Sequence, residues 1–298
     1  MRSTLIAVAA AIAAAGTLAL AGCAAPAASV DSELSIVTST NVYGSIASSI
    51  GGDLVDVTSI IDDPSQDPHS FEGDARTQLA LSKADILIEN GGGYDDWADT
   101  LLAGVENDDV TVLNASDLSG YEQADGFNEH VWYDFPTVGK LVAALVAELS
   151  SLAPDKASTF ESNAETFTAS LDALAQREVD LASTANGAGV AITEPVPLYL
   201  LEAVGFTNVT PEAFSEAIEE GTDVSPAVLA DTVAIFADGT AALLVYNAQT
   251  TGPETEQVLA AAKDHDVPVV PVTETMPTDT DYLAWMGSNL DAIEAAIS

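Results

Sequence analysis

The residues best suited to chemistry here are the histidines, of which the chain has three, His69, His130 and His265. His69 lies in DPHSFE (67–72), between an apolar β-type run, VDVTSII (55–61), and a helical pattern, ARTQLALSKA (75–84). This order puts His69 on a loop beyond the C-terminal end of a strand, where open α/β sheets bind their ligands. Pro68 fixes its own φ and biases Asp67 toward extended geometry, so the loop is stiff and His69 has a set direction. His130 has a similar setting in NEHVWYD (128–134), where polar residues lead into an aromatic run and a helix start. Imidazoles so placed ligate metals or carry protons near neutral pH, although a lone loop histidine is more often a solvated surface residue. The two lie far apart in sequence, so they act together only if the fold converges them and supplies acidic partners.

The elements that would do so alternate between strand and helix. Strands are expected at 33–40, 55–61, 84–90 and 109–116, and helices at 41–52, 75–84 and 94–104. Such alternation argues a parallel, mostly buried sheet. Gly91, Gly92 and Gly93 permit tight backbone geometry, but they lack GxGxxG spacing and no Walker lysine follows. Residues 117–129 read as a polar loop. Asp134 is an expected N-cap with Pro136 in the first turn of an apolar helix ending near 152. From Pro154 and Asp155 a second helix runs to about Ala185, roughly 45 Å long by its rise per residue. Its narrow stripe of Phe160, Phe167, Leu171, Leu174 and Leu181 suits a beam across two lobes. A second α/β set follows: strands at 189–193, 241–247 and 267–272, and helices at 197–206, 225–239, 256–266 and 281–297.

Composition narrows the partners. Seven basic residues against 47 acidic ones give a net charge of −40, and 48% of the chain is hydrophobic. That balance excludes nucleic acid, whose phosphates need Lys and Arg, and it favours diffuse accumulation of cations. The chain opens with Arg2 and an Ala-rich apolar run to Leu20, a signal-peptide pattern. Leu20-Ala21-Gly22-Cys23 resembles the lipobox of bacterial lipoproteins, which implies acylation of Cys23 at the bacterial cell membrane. Cys23 is the only cysteine, so no intramolecular disulfide can form. Residues 1–22 are therefore expected to be a signal peptide and 23–33 a lipidated tether. No segment after residue 22 reads as long and apolar enough to cross a bilayer.

Two acids end strands of the second set, Glu194 after GVAIT and Glu274 after VPVVPV. With His69 and His130 they make two neutral imidazoles and two carboxylates, a donor set whose charge cancels a divalent cation. His265, in AKDHD at a helix C-terminus, is explained by the helix dipole. A metallohydrolase would use similar ligands, but HExxH and GxSxG are both missing from the sequence.

DPHSFE, the HVW around His130, TEPVPLYLLEAVGF (193–206), LVYNAQT (244–250) and VTETMP (272–277) together resemble the zinc/manganese solute-binding lipoproteins of ABC importers. The resemblance runs from about residue 34 to the C-terminus. It implies two α/β lobes, 34–133 and 187–298, each with a mostly parallel sheet flanked by helices. A helical segment, 134–186, joins them through one long rigid helix, and metal is held in the inter-lobe cleft. The implied ligands are His69, His130, Glu194 and Glu274, and the implied cargo is a zinc or manganese ion. The implied partner is a membrane permease, and the chain is expected to act as a monomer without catalysis. Zinc members usually have His at the third ligand position and a His-rich loop before the second; this chain has Glu194 and no such loop. The fourth ligand, Glu274 here, is Asp in many relatives. A receptor of the same fold for a metal chelate is the alternative reading, and an adhesin role is compatible with transport.

Overall fold

The computed structural model describes residues 34–63, 65–124 and 126–298. The signal peptide, Cys23 and the tether lie outside these residues. Strand β1 (Leu34–Thr40) leads into α1 (Asn41–Gly51), then β2 (Val55–Ile61), α2 (Ala75–Leu81) and β3 (Ile86–Glu89). Next come α3 (Trp97–Ala103), β4 (Thr111–Asn114) and α4 (Ala115–Ser119). Two long helices follow, α5 (Phe135–Leu152) and α6 (Ala157–Ala185). The second set comprises β5 (Gly189–Ile192), α7 (Leu198–Ala203), β6 (Thr207–Asn208), α8 (Glu212–Glu219) and α9 (Pro226–Ala237). It closes with β7 (Leu243–Asn247), α10 (Pro253–Asp264), β8 (Val269–Val272) and α11 (Tyr282–Ile297).

The strands form two all-parallel sheets of four, ordered β2-β1-β3-β4 and β6-β5-β7-β8. The expected two-lobe α/β architecture is therefore the observed one. Side chains alternate across each sheet, as the period of a strand demands. Ile36, Ile86 and Ile88 of the first sheet, and Val190, Ile192, Leu243 and Val245 of the second, face one core shared by both. Val37 and Leu87 face a smaller cluster with Leu81, while Ala191 and Leu244 face another with Phe214 and Val258. Both faces of both sheets are thus covered, which is why their strands read as continuous apolar runs.

Helix α6 is 29 residues long, and its expected stripe of Phe160, Phe167, Leu171, Leu174 and Leu181 is buried. Glu178 is buried on the same stripe, and burial raises its pKa to about 8. Asp134 caps α5 by accepting from the backbone N–H of Thr137 at 3.1 Å. Two expectations need correction, and one stretch without an assigned element carries two. The 117–129 segment is not all loop, because Asn114 accepts from the Asp117 N–H and starts α4. Residues 207–224 carry β6 and α8, a helix that Pro211 starts and the buried Phe214 anchors. Finally, α5 is long and apolar enough by length and composition to cross a membrane. Its Val138, Leu141, Val142, Leu145 and Leu149 instead lie in the shared core, as in a core helix of an α/β protein.

Candidate metal centre

In each sheet the strand order reverses between two central strands, and the crevice above that reversal is the usual ligand site of such folds. The loop after β2 carries His69. Asp67 accepts from the His69 backbone N–H at 2.9 Å and from the Ser70 hydroxyl at 2.7 Å, a local turn that fixes the direction of the histidine. From α3, Trp97 clamps this loop by donating its indole N–H to the Pro68 carbonyl at 3.1 Å and packing on Phe71. The His69 ring stands edge-on to Tyr94, 4.9 Å away, and keeps solvent on its other side.

His130 precedes a 3₁₀ turn, Val131–Tyr133, and is fully buried between Tyr94 and Trp132. Its Nδ1 lies 2.8 Å from the Asn128 side-chain oxygen, which also accepts from the His130 backbone N–H. Asn128 donates its own amide to the Pro195 carbonyl of the second lobe at 3.1 Å, so its oxygen must face His130. The proton is thereby held on Nδ1, and the Nε2 lone pair is left for a ligand. No hydrogen-bond partner reaches Nε2.

Glu194 follows β5 and Glu274 follows β8; both are buried. The Asn247 amide, at the end of β7, donates to both carboxylates, to Glu274 at 2.8 Å and to Glu194. Gln249 holds the backbone at the second acid by accepting from the Glu274 N–H at 2.7 Å. The loop beyond is clasped from the other lobe, where Asn41 exchanges two hydrogen bonds with the Met276 backbone.

The two histidines that the sequence separates are brought to a ring spacing of 6.4 Å. One donor atom each from His69, His130 and Glu274 lie within 4.8 Å of one another. Glu194 is not in that tight set; it lines the same cleft of about 750 Å³ and is joined to Glu274 through Asn247. His265 ends α10 on the surface, away from the cleft.

A family model described as ZnuA, zinc-uptake complex component A, periplasmic, matches residues 36–296. The chain belongs to this family. The manganese-binding lipoprotein MntA of Halalkalibacterium halodurans is 30% identical over 179 residues, 59% of each chain. The zinc-binding lipoprotein AdcA of Streptococcus pneumoniae is 26% identical over 204 residues, 61% of this chain and 40% of its own length. The chain thus spans only about half the length of these curated relatives. Among solved structures, a mutant of the laminin-binding adhesin Lmb of Streptococcus agalactiae shares the fold, with a TM-score of 0.74 at 19% identity. That likeness covers 89% of this chain and 100% of the other.

The electrostatics of the cleft suit a family of metal binders. Burial, and then the neighbouring His69, hold His130 well below its ordinary pKa, so it is neutral. Loss of hydration also lowers His69, against a smaller upward pull from Asp67. Burial pushes Glu194 up to about 7, with the Asn247 hydrogen bond opposing it. Burial followed by repulsion from Glu194 and Asp67 pushes Glu274 up to about 8. Neutral imidazoles and crowded acids form a site that a divalent cation relieves. Sequence reasoning missed Asn247, although it stands inside LVYNAQT, and Asn128, two residues before His130. It also missed Glu129, beside His130, and Glu219, in the segment where α8 went unread.

Proposed function

We propose that this protein captures a divalent transition-metal ion, zinc or manganese, outside the cytoplasm and delivers it to the permease of an ABC importer. The observation that supports this reading is the convergence of His69, His130 and Glu274, whose donor atoms lie within 4.8 Å of one another. Glu194, tethered to Glu274 by Asn247, completes two nitrogen and two carboxylate donors. Capture involves no bond-making in the cargo. The ion exchanges water for imidazole nitrogens and carboxylate oxygens, and the acids lose their protons as it binds. Because the histidines come from the first lobe and the acids from the second, a permease that separates the lobes splits the ligands into two pairs. The stiff α6 between the sheets restricts capture to small shifts and loop ordering. A lipid on Cys23 keeps the receptor at the membrane.

The cleft is large enough for a chelate. Its described lining, however, includes Asp67, Glu129, Glu194, Glu219 and Glu274 with no Lys or Arg, which opposes an anionic chelate. The test is thermal unfolding with added Zn²⁺ or Mn²⁺. Metal at a hundredfold excess over its Kd should stabilise the protein by about 2.7 kcal/mol. His69→Ala should abolish the shift and His265→Ala should leave it intact; equal behaviour of the two variants would refute the site.

A further inference from the structure

The cleft holds more donors than one divalent ion needs. Glu194 and Glu274 already balance a double positive charge, yet Glu129 and Glu219 also line the cavity. One donor atom each from His69, Glu129 and Glu219 fall within 4.8 Å of one another, a second group that shares only His69 with the first. An acidic cluster alone would be unremarkable in so acidic a chain, but here a second observation points inward. His130 Nε2, fully buried and without a hydrogen-bond partner, faces Glu219 Oε1 at 3.5 Å, and that oxygen is also buried without a partner. Two atoms bonded to one tetrahedral metal at about 2.1 Å each stand about 3.4 Å apart. At 3.5 Å the pair is close enough for a cation held by Glu219 to reach His130 before it leaves Glu219. The position of Glu219 is itself unfavourable, since it ends α8, where the helix dipole repels a carboxylate.

We propose that Glu129, Glu219 and His69 form an outer subsite that first receives the divalent cation and passes it to His69, His130, Glu194 and Glu274. This rests on the metal-capture reading above. Because His69 belongs to both groups, the two positions are occupied in turn, and Glu219 touches both the outer donors and the inner His130. The outer donors are two oxygens and one nitrogen, suited to a cation that still carries part of its water shell. The inner position adds the second imidazole and is the tighter one.

An intermediate of this kind changes rates and not the final equilibrium. Stopped-flow binding of Mn²⁺ and of Zn²⁺, followed with a metal indicator, tests it in the wild type, Glu219→Gln and the double variant Glu129→Gln/Glu219→Gln. Both substitutions are isosteric, and unchanged metal-free melting checks the fold. Association and dissociation should both slow, by about tenfold in the double variant, with one ion bound and Kd unchanged within about threefold. The control is Glu161→Gln/Glu165→Gln, which removes two exposed charges from α6 outside the cleft and should leave the rates as they are. Unchanged rates in the double variant would overturn the proposal, as would equal slowing in the control pair. A weaker Kd with unaltered association would make Glu219 an inner ligand and overturn it too. Failure of the wild type to bind either ion would instead remove the capture reading beneath it.

Discussion

The two halves of the molecule repeat one strand order, and each places an asparagine just where its third-built strand meets the crevice, Asn90 after β3 and Asn247 ending β7. Both side chains are buried. Their work differs. Asn90 accepts from the Tyr43 hydroxyl and donates to the Gly91 and Glu129 carbonyls, each at 2.9 Å. Asp95 ties down the same turn by accepting from the Asn90 and Gly91 N–H groups at 2.7 Å. That turn also requires Gly91 and Gly92, which have positive φ and whose Cβ atoms would meet Asn114 and Phe127. In the first half, then, the asparagine belongs to a satisfied network that holds backbone. In the second it serves two carboxylates that repel each other. A single fold device braces structure on the imidazole side and restrains charge on the carboxylate side.

Removing each asparagine should separate these roles. Asn247→Ala should weaken metal binding by about 10- to 100-fold, as loss of a ligand-orienting partner does, with a small change in metal-free melting. Asn90→Ala should do the reverse. It strands the Tyr43 hydroxyl and takes one of two donors from each of the Gly91 and Glu129 carbonyls, at a cost of about 2 kcal/mol, and leaves the candidate ligands themselves in place. Metal titration and denaturant unfolding of both variants check this; matching profiles would mean that the two positions do not differ in role.

The charge restraint also has a pH signature. Glu194 and Glu274, raised to about 7 and about 8, bind protons in the folded protein that the unfolded chain releases above its ordinary value of 4.5. Metal-free stability therefore falls as pH rises through that interval. The lowered histidines act oppositely, but only below their ordinary value of 6.5. Above it the acids act alone among these four groups, at up to about 1.4 kcal/mol per pH unit for each. Glu194 and Glu274 should thus lower the metal-free melting temperature by about 5 °C between pH 6.5 and 8.5, beyond the fall that buried Glu178, raised to about 8, adds with the same sign. The increment added by Zn²⁺ or Mn²⁺ should grow over the same range, since the bound ion keeps the acids deprotonated. Glu274→Gln should flatten the metal-free slope; an unchanged slope would remove Glu274 from the account.

The sequence made the architecture legible because both sheets are buried on both faces, so each strand stands out as an apolar run between polar loops. The stripe on α6 was equally readable, since five large apolar side chains recur at helical spacing. Element α8 was not. Only Phe214 and Ser215 are buried in it, and EAFSEAIE has no cap residue but a proline, so little separates it from an acidic loop. Glu219 was hidden with it. The candidate ligands on loops could be named because Pro68 and the strand ends bound them locally. Asn128 and Asn247 could not be assigned a role, because an asparagine that orients a ligand differs from one in a turn only by what it faces across the fold. For Asn247 that is two carboxylates 53 and 27 residues away; for Asn128 it is the His130 ring, a near neighbour in sequence whose orientation toward the asparagine only the fold reveals.

The smallest expected effect bears on which ion is carried, and it turns on the one residue of the set that lies outside the tight group of donors. Glu194 stands outside the group of His69, His130 and Glu274, linked to it through the Asn247 amide. If it closes on the ion, the site has two nitrogens and two carboxylates, and carboxylates that bind through both oxygens allow more than four coordination. Such a sphere suits manganese better than three nitrogens would. Zinc nevertheless outranks manganese intrinsically at nitrogen and oxygen sites. Zinc should therefore bind the isolated protein at least as tightly as manganese, whichever ion is the cargo. Glu194→His removes one negative charge and an adaptable oxygen pair, and adds a nitrogen at the position zinc favours. It should weaken manganese more than zinc, moving the ratio of affinities toward zinc by about three- to tenfold. Competition calorimetry on the wild type and the variant reads this ratio directly. A ratio that does not move would place Glu194 outside the coordination sphere, leaving the three clustered donors and water to hold the ion.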